Sequence, residues 1–479
     1  MIGNFVFLGM ERRTFALTLT APALASWAQE SMQKTAAEKL LHLWLTSFNS
    51  GERTKLVEFR VQYAPDQPDH IEQMMQTRRF TGGFDIRRIE SADAAQLKAI
   101  LKEREGDTHA RIEVSVASAE PLRAGKITVQ RIETPEDLAP AAMEESELCK
   151  ALDERAKDMT KRDEFAGSVL IARGDKVLFE KAYGWADRGA KAANTVETRF
   201  RIGSMNKMFT AVAALQLVEK GKLQLDAPLG EYLKDYPNEN LAAKVHIRHL
   251  LSHTGGTGDI FGPEFAKKRR ELRTIEDYVR LYGARDLAFE PGSRWAYSNY
   301  GFLLLGAVIE KVAGRSYYEL VQENVFRPAG MTATDSLPEE AGVAGMSRGY
   351  MRGAAGWESN AETLPWRGTP AGGGYSTTRD LFRFARALET GKLLGEKLLR
   401  EATVGDKPGA GYGFGFQLYE KPMRQYGHGG GAPGMNGDLR VLPESGYVIS
   451  VLANLDPPAA GRLASFFLAR LKVPAKARG

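Results

Sequence analysis

The chain has 479 residues, more than one hydrophobic core usually organises, so two domains are the natural starting assumption. Its 43% hydrophobic and 26% charged residues, with no low-complexity tract or internal repeat, are those of a globular protein. The formal charge of +5 is dispersed, without a dense Lys/Arg run or basic residues interleaved with aromatics, which leaves nucleic-acid binding unsupported. The single cysteine, Cys149, excludes an intrachain disulfide and a cysteine-built metal site, and nothing calls for a cofactor.

Residues 1–28 read as a targeting segment. Arg12 and Arg13 precede an apolar run, residues 14–25, and Ser26-Trp27-Ala28 fits a cleavage site. Arg12-Arg13-Thr14-Phe15-Ala16-Leu17 resembles a twin-arginine export signal, and a general secretory signal is the alternative. Either one places the mature protein in the periplasm or outside the cell. No later stretch is apolar for the roughly 18 residues that a spanning helix needs, so no membrane span is expected.

Residues 29–135 are expected to form a small α+β domain. A helical pattern runs through Ala37, Leu40, Leu41, Leu43, Trp44 and Phe48 and is closed by Asn49-Ser50-Gly51. Two alternating runs, 110–117 and 126–132, predict strands. The helix followed by Phe48-Asn49-Ser50-Gly51 resembles the opening of nuclear-transport-factor-like (NTF2-like) cone domains. His42, His70 and His109 are scattered, with a surface or packing role expected for each, so this domain offers no catalytic constellation and reads as a candidate binding or dimerising module.

An acidic, proline-containing linker, 136–147, separates it from a larger unit, 148–473, with a short tail, 474–479. The larger unit opens with a helix (148–161) and a hairpin (166–172 and 176–182, turning at Arg173-Gly174-Asp175). It closes with a second hairpin (437–442 and 447–454) and an amphipathic helix (461–471). Strands at both ends with helices between predict one antiparallel sheet flanked by helices, beside a helical subdomain.

Ser204 opens the helix that continues through Lys207, Met208, Ala211 and Leu215. At a helix start the backbone N–H groups favour developing negative charge, and Lys207, three residues on, lies one turn away on the same face. A serine needs such a base, because its hydroxyl alone is a poor nucleophile. In Trp295-Ala296-Tyr297-Ser298-Asn299-Tyr300-Gly301, the Tyr297 phenol can relay a proton and the Asn299 amide can orient the lysine and a substrate carbonyl. Tyr426-Gly427-His428-Gly429-Gly430-Gly431 reads as a strand edge stripped of side chains, along which a substrate backbone can pair.

In this order the three segments resemble the motifs of the penicillin-recognising serine enzymes: class C β-lactamases, D-Ala-D-Ala carboxypeptidases and family VIII esterases. The segments 249–256 and 370–377 fit as well. The resemblance implies a β-lactamase/transpeptidase-like α+β fold with Ser204 as the acylated nucleophile. It implies that Lys207 and Tyr297 share the proton work, that Asn299, His428, Gly429 and Gly430 bind substrate, and that the N–H groups of Ser204 and Gly431 form an oxyanion hole. Where β-lactam specialists carry Lys-Thr-Gly, this chain has His428-Gly429-Gly430, and a partly charged imidazole should hold a substrate carboxylate weakly. The expectation is therefore an ester, amide or D-amino-acid peptide substrate with weak β-lactamase activity. A non-catalytic penicillin-binding-like recognition protein is the rival, and it would be marked by a broken Ser/Lys/Tyr set.

Two other patterns would point to different chemistry. Gly345-Met346-Ser347-Arg348-Gly349 matches a nucleophile elbow but lacks the strand before it and the helix after it. His246, His249 and His253 have the spacing of helical metal ligands, but no further ligand or neighbouring glutamate is evident, and packing near the site is expected instead.

Overall fold

A computed structural model describes residues 35–353, 356–404 and 411–472. The predicted signal segment 1–28 and tail 474–479 lie outside them. The chain divides into two units: residues up to Arg104 together with Thr108–Glu133, and Glu105–Asp107 together with the chain from Thr134.

In the first unit, helix α1 (Ala36–Ser50) starts at a reciprocal Thr35/Glu38 capping box and stops at Gly51, whose φ of 72° only glycine adopts without strain. Its buried stripe includes Leu40, Trp44 and Phe48. Helices α2 (Arg53–Tyr63) and α3 (Ile71–Thr81) follow. Then comes an antiparallel meander of β1 (Phe84–Ala92), β2 (Gln96–Glu103), β3 (His109–Ala119) and β4 (Leu122–Ile132). The expected strands 110–117 and 126–132 lie within β3 and β4. The core joins Trp44, Phe48 and Phe59 to Leu97, Leu101 and Ile112.

The second unit begins with α4 (Glu145–Lys161), three residues inside the expected linker; Glu145 and Glu147 place negative charge in its first turn, where the helix dipole favours it. Strands β5 (Gly167–Arg173) and β6 (Lys176–Tyr183) form the first hairpin. Next come α5 (Asn206–Glu219), α6 (Asn299–Ala313) and α7 (Thr378–Glu389). Toward the C-terminus come β7 (Gln417–Tyr419), β8 (Gln425–Ala432), β9 (Met435–Leu442), β10 (Tyr447–Ala453) and α8 (Ala459–Arg470).

The sheet order is β7-β8-β9-β10-β5-β6, antiparallel throughout, so the last strand pairs with the first from Tyr447↔Arg173 to Ala453↔Gly167. Strand β5 shows why the sheet is sandwiched. Val169 and Ile171 pack with Leu152 of α4 and Phe467 of α8, whereas Leu170 and Ala172 face the larger core that holds Phe209 of α5 and Phe384 of α7. Each such Leu or Phe contributes about 1.5–3 kcal/mol by its burial. Residues 205–215 are buried on every side of α5, and that places the amine of Lys207 in the core.

Candidate active site

Ser204 stands on a single 3-10 turn, Gly203–Met205, that feeds directly into α5. Gly203 has φ 51°, and a Cβ built on it would stand 3.0 Å from the amide nitrogen of Gly431, so this turn and β8 pack backbone against backbone. A Cβ on Gly372 would lie 3.3 Å from the Ser204 nitrogen. Glycine at both positions keeps the ground around that N–H clear.

One turn along α5, the fully buried Lys207 Nζ lies 3.2 Å from Ser204 Oγ, 2.8 Å from Asn299 Oδ1 and 2.5 Å from the Ala371 carbonyl. Burial pushes its pKa down to about 7, and the Asp259 carboxylate partly offsets that. Once neutral, the amine keeps two N–H bonds for its two fixed acceptors, Asn299 and Ala371. Its lone pair is then left for the serine O–H. The Tyr297 hydroxyl shares a hydrogen bond with Ser204, and its ring lies 4.7 Å from Lys207 Nζ. Burial raises the pKa of that phenol, so it is protonated and able to donate.

Asn299 is the first residue of α6, and Ser298 caps the helix by accepting from Gly301 N–H at 2.9 Å. Asp259 accepts both the Asn299 backbone N–H (3.2 Å) and its Nδ2 (3.1 Å), which turns Oδ1 toward the lysine. The 370–377 segment is pinned on the other side. Tyr375 and Ser376 pair with Arg201 and Phe200, and Gly374 N–H donates to Asn206 Oδ1 at 3.2 Å.

Strand β8 supplies the opposite wall. A Cβ on Gly430 would lie 1.9 Å from the Ile202 carbonyl, so this glycine exists to let the strand close onto the nucleophile turn. Pairing with β7 ends at Gly427↔Gln417; Gly429 N–H donates to Gln417 Oε1 at 2.8 Å, and Gly431 is exposed. His428 is corrected by its surroundings. Its Nδ1 lies 2.6 Å from the Gly429 carbonyl, an acceptor only, so Nδ1 carries the proton and Nε2 accepts from the Tyr412 hydroxyl at 2.9 Å. Burial and the nearby Lys207 hold its pKa down to about 3. The imidazole is thus neutral rather than partly charged, and neither nitrogen is left for substrate. It fixes Tyr412.

His253 lies beside the same group. It adopts φ 58°, accepts from Ser298 N–H at Nδ1 (3.1 Å), and packs its ring 4.3 Å from Tyr297 and 4.5 Å from Tyr412. His246 and His249 instead stack on each other at 5.0 Å, His246 as the cap and His249 within the short helix Ile247–Leu251. Among the described residues no three His, Cys, Asp or Glu side chains come together as a metal site. Ser347 is buried in a loop with its hydroxyl on the Arg199 carbonyl at 3.1 Å.

The structure therefore gathers Ser204, Lys207, Tyr297, Asn299 and Gly431, keeps Gly429 and Gly430 on the adjoining strand, and sets His428 behind them. His253 packs near the site as expected, whereas Asp259 and Tyr412 were missed. Asp259 follows a glycine-rich loop with no spacing that ties it to Asn299. Tyr412 did carry a signal: Gly411-Tyr412-Gly413-Phe414-Gly415-Phe416 alternates rings with glycines, a pattern of tightly packed backbone beneath buried aromatics.

The Beta-lactamase family model matches residues 152–472. Penicillin-binding protein 4* of Bacillus subtilis (strain 168) is 31% identical over 301 residues, covering 57% of this chain and 64% of that protein. Esterase EstB of Burkholderia gladioli is 33% identical over 215 residues, covering 41% of this chain and 54% of that protein. The chain thus spans less than two thirds of either relative. The D-amino acid amidase of Ochrobactrum anthropi SV3, solved with D-phenylalanine, superposes with a TM-score of 0.56 at 27% identity, over 67% of this chain and 95% of that one. Through residues 152–472 the chain belongs to the beta-lactamase family, within the penicillin-recognising serine hydrolase superfamily.

Proposed function

We propose that this chain hydrolyses esters or amides, D-amino-acid derivatives among them, through an acyl-enzyme on Ser204. The observation that carries the reading is the buried Lys207 amine, held near neutrality within reach of Ser204 Oγ. Lys207 takes the serine proton as Oγ attacks the substrate carbonyl carbon. The oxyanion is held by the N–H groups of Ser204 and Gly431, and Tyr297 protonates the leaving alkoxide or amine. The Lys207 ammonium then restores the Tyr297 proton. Water attacks the acyl-enzyme with the same groups in reversed roles, releasing the acid and free serine.

The neutral His428 supports weak recognition of a substrate carboxylate, and hence weak turnover of β-lactams. The similarity to an esterase and to a D-amino acid amidase supports the ester and amide classes. The arginine pair before an apolar run supports export to the periplasm or beyond, which cell fractionation checks. The decisive experiment is labelling with a fluorophosphonate, read by intact mass. One adduct on the wild type and none on Ser204→Ala is expected. An unlabelled wild type, or a labelled Ser204→Ala, overturns the reading in favour of a scaffold or another nucleophile.

A further inference from the structure

A cavity of about 290 Å³ lies within the N-terminal unit, walled by α1, α2 and α3 and by β1 and β4. Its body is apolar: Phe48 stacks between Trp44 (4.8 Å) and Phe84 (5.4 Å), and Phe59 and Met74 complete the wall. Arg60 and Gln67 interrupt it, and His70, Gln73 and Thr77 also line it. Arg60 donates from Nη2 to the Gln67 carbonyl at 3.4 Å, while Arg60 Nε and Gln67 Nε2 are buried N–H donors with no acceptor among the described residues. Folded chains pair nearly all such groups, so two unpaired donors sharing one wall mark where an acceptor from outside the chain belongs. Arg60 fixes the sign of that acceptor. No aspartate or glutamate lines the cavity, and Asp69, next to the lining His70, spends its carboxylate on the Ile71 N–H at 3.0 Å.

We infer that this cavity binds an amphipathic monocarboxylate, with its carboxylate on Arg60 and Gln67 and its apolar body against Trp44, Phe48 and Phe59. The cavity is about twice the ~150 Å³ space that holds a benzene ring, which suits a fused ring pair or a chain of about eight carbons. A guanidinium with a free Nε–H presents the donor that a carboxylate oxygen takes, and a neutral carbonyl would leave its charge unanswered. Binding in this cavity does not depend on the chemistry at Ser204.

Isothermal titration of the purified chain with 2-naphthoate, octanoate and the neutral 2-naphthamide tests it. Both carboxylates should bind at one site per chain, and the amide at least about tenfold more weakly. Arg60→Met, which keeps the aliphatic stem, should weaken carboxylate binding about 10- to 100-fold while leaving nitrophenyl-ester turnover unchanged. Thr77→Phe places a ring at the exposed rim and should abolish binding; with the amide comparison, it carries the test if Arg60→Met fails to fold. Equal affinity for the amide, wild-type affinity in either folded variant, or no binding of either carboxylate at millimolar concentration overturns the proposal.

Discussion

Ser204 and Ser347 both follow a glycine at positive φ or lie two residues beyond one, and both hydroxyls meet a partner, yet only one is placed for chemistry. Ser347 takes part in backbone pairing: its N–H and hydroxyl both address the Arg199 carbonyl, at 2.9 and 3.1 Å. Ser204 has an amine that can lose a proton, a phenol that can give one, and the neighbouring N–H of Gly431. A nucleophile is therefore recognised by what its hydroxyl touches. The glycines around it only make room.

The sharpest way to break this contrast is Ser204→Ala, expected to cost at least about 10³-fold in kcat/KM on nitrophenyl esters, with Ser347→Ala run beside it. Lys207→Met should cost about 10²- to 10⁴-fold in the same assay. Wild-type kcat/KM should rise with pH through a limb centred near 7, because the ammonium must lose its proton before it can accept one from Ser204. Asp259 raises the lysine pKa, so Asp259→Asn should lower the rate about tenfold and move that limb to lower pH; a limb that stays put or moves up would assign the titration to another group.

Lys207 also sets a stability test. Its folded pKa is below its unfolded one, so the fold penalises the ammonium, and the penalty is full below pH 7 and fades as pH rises toward 10.5. The difference in Tm between Lys207→Met and wild type should therefore favour the variant more at pH 6 than at pH 10. The smallest effect is Ser347→Ala itself: activity within about threefold and about 1 kcal/mol of stability, since the Arg199 carbonyl keeps its Ser347 N–H.

The parts of this arrangement that were legible in the sequence are those written in local pattern. The α1 stripe, the β5–β6 hairpin and the closing helix follow from periodicity and turn residues, and Ser204 and Lys207 are tied by one helical turn. Strand β1 was not legible, because most of Phe84–Ala92 faces solvent and Arg87, Arg88 and Glu90 hide the alternation. Helices α2 and α3 bury only a few residues each and were missed for the same reason. Asp259 and Tyr412 meet Asn299 and His428 through tertiary folding, and the tautomer of His428 depends on a carbonyl that no residue pattern reveals.

The pairing of β10 with β5 has a consequence for how the enzyme comes into being. These strands lie roughly 280 residues apart in the chain, so their contacts are among the least local that the sheet could make, and closing so long a loop is slow. Val169 and Ile171 have no strand neighbour on that side until residues 447–453 have been synthesised. A ribosome-bound or C-terminally clipped chain that ends before β10 carries every residue of the Ser204 site but lacks the strand that joins the two ends of its sheet. The sheet that carries β8 beside Ser204 is therefore joined from end to end only once residues 447–453 have been made.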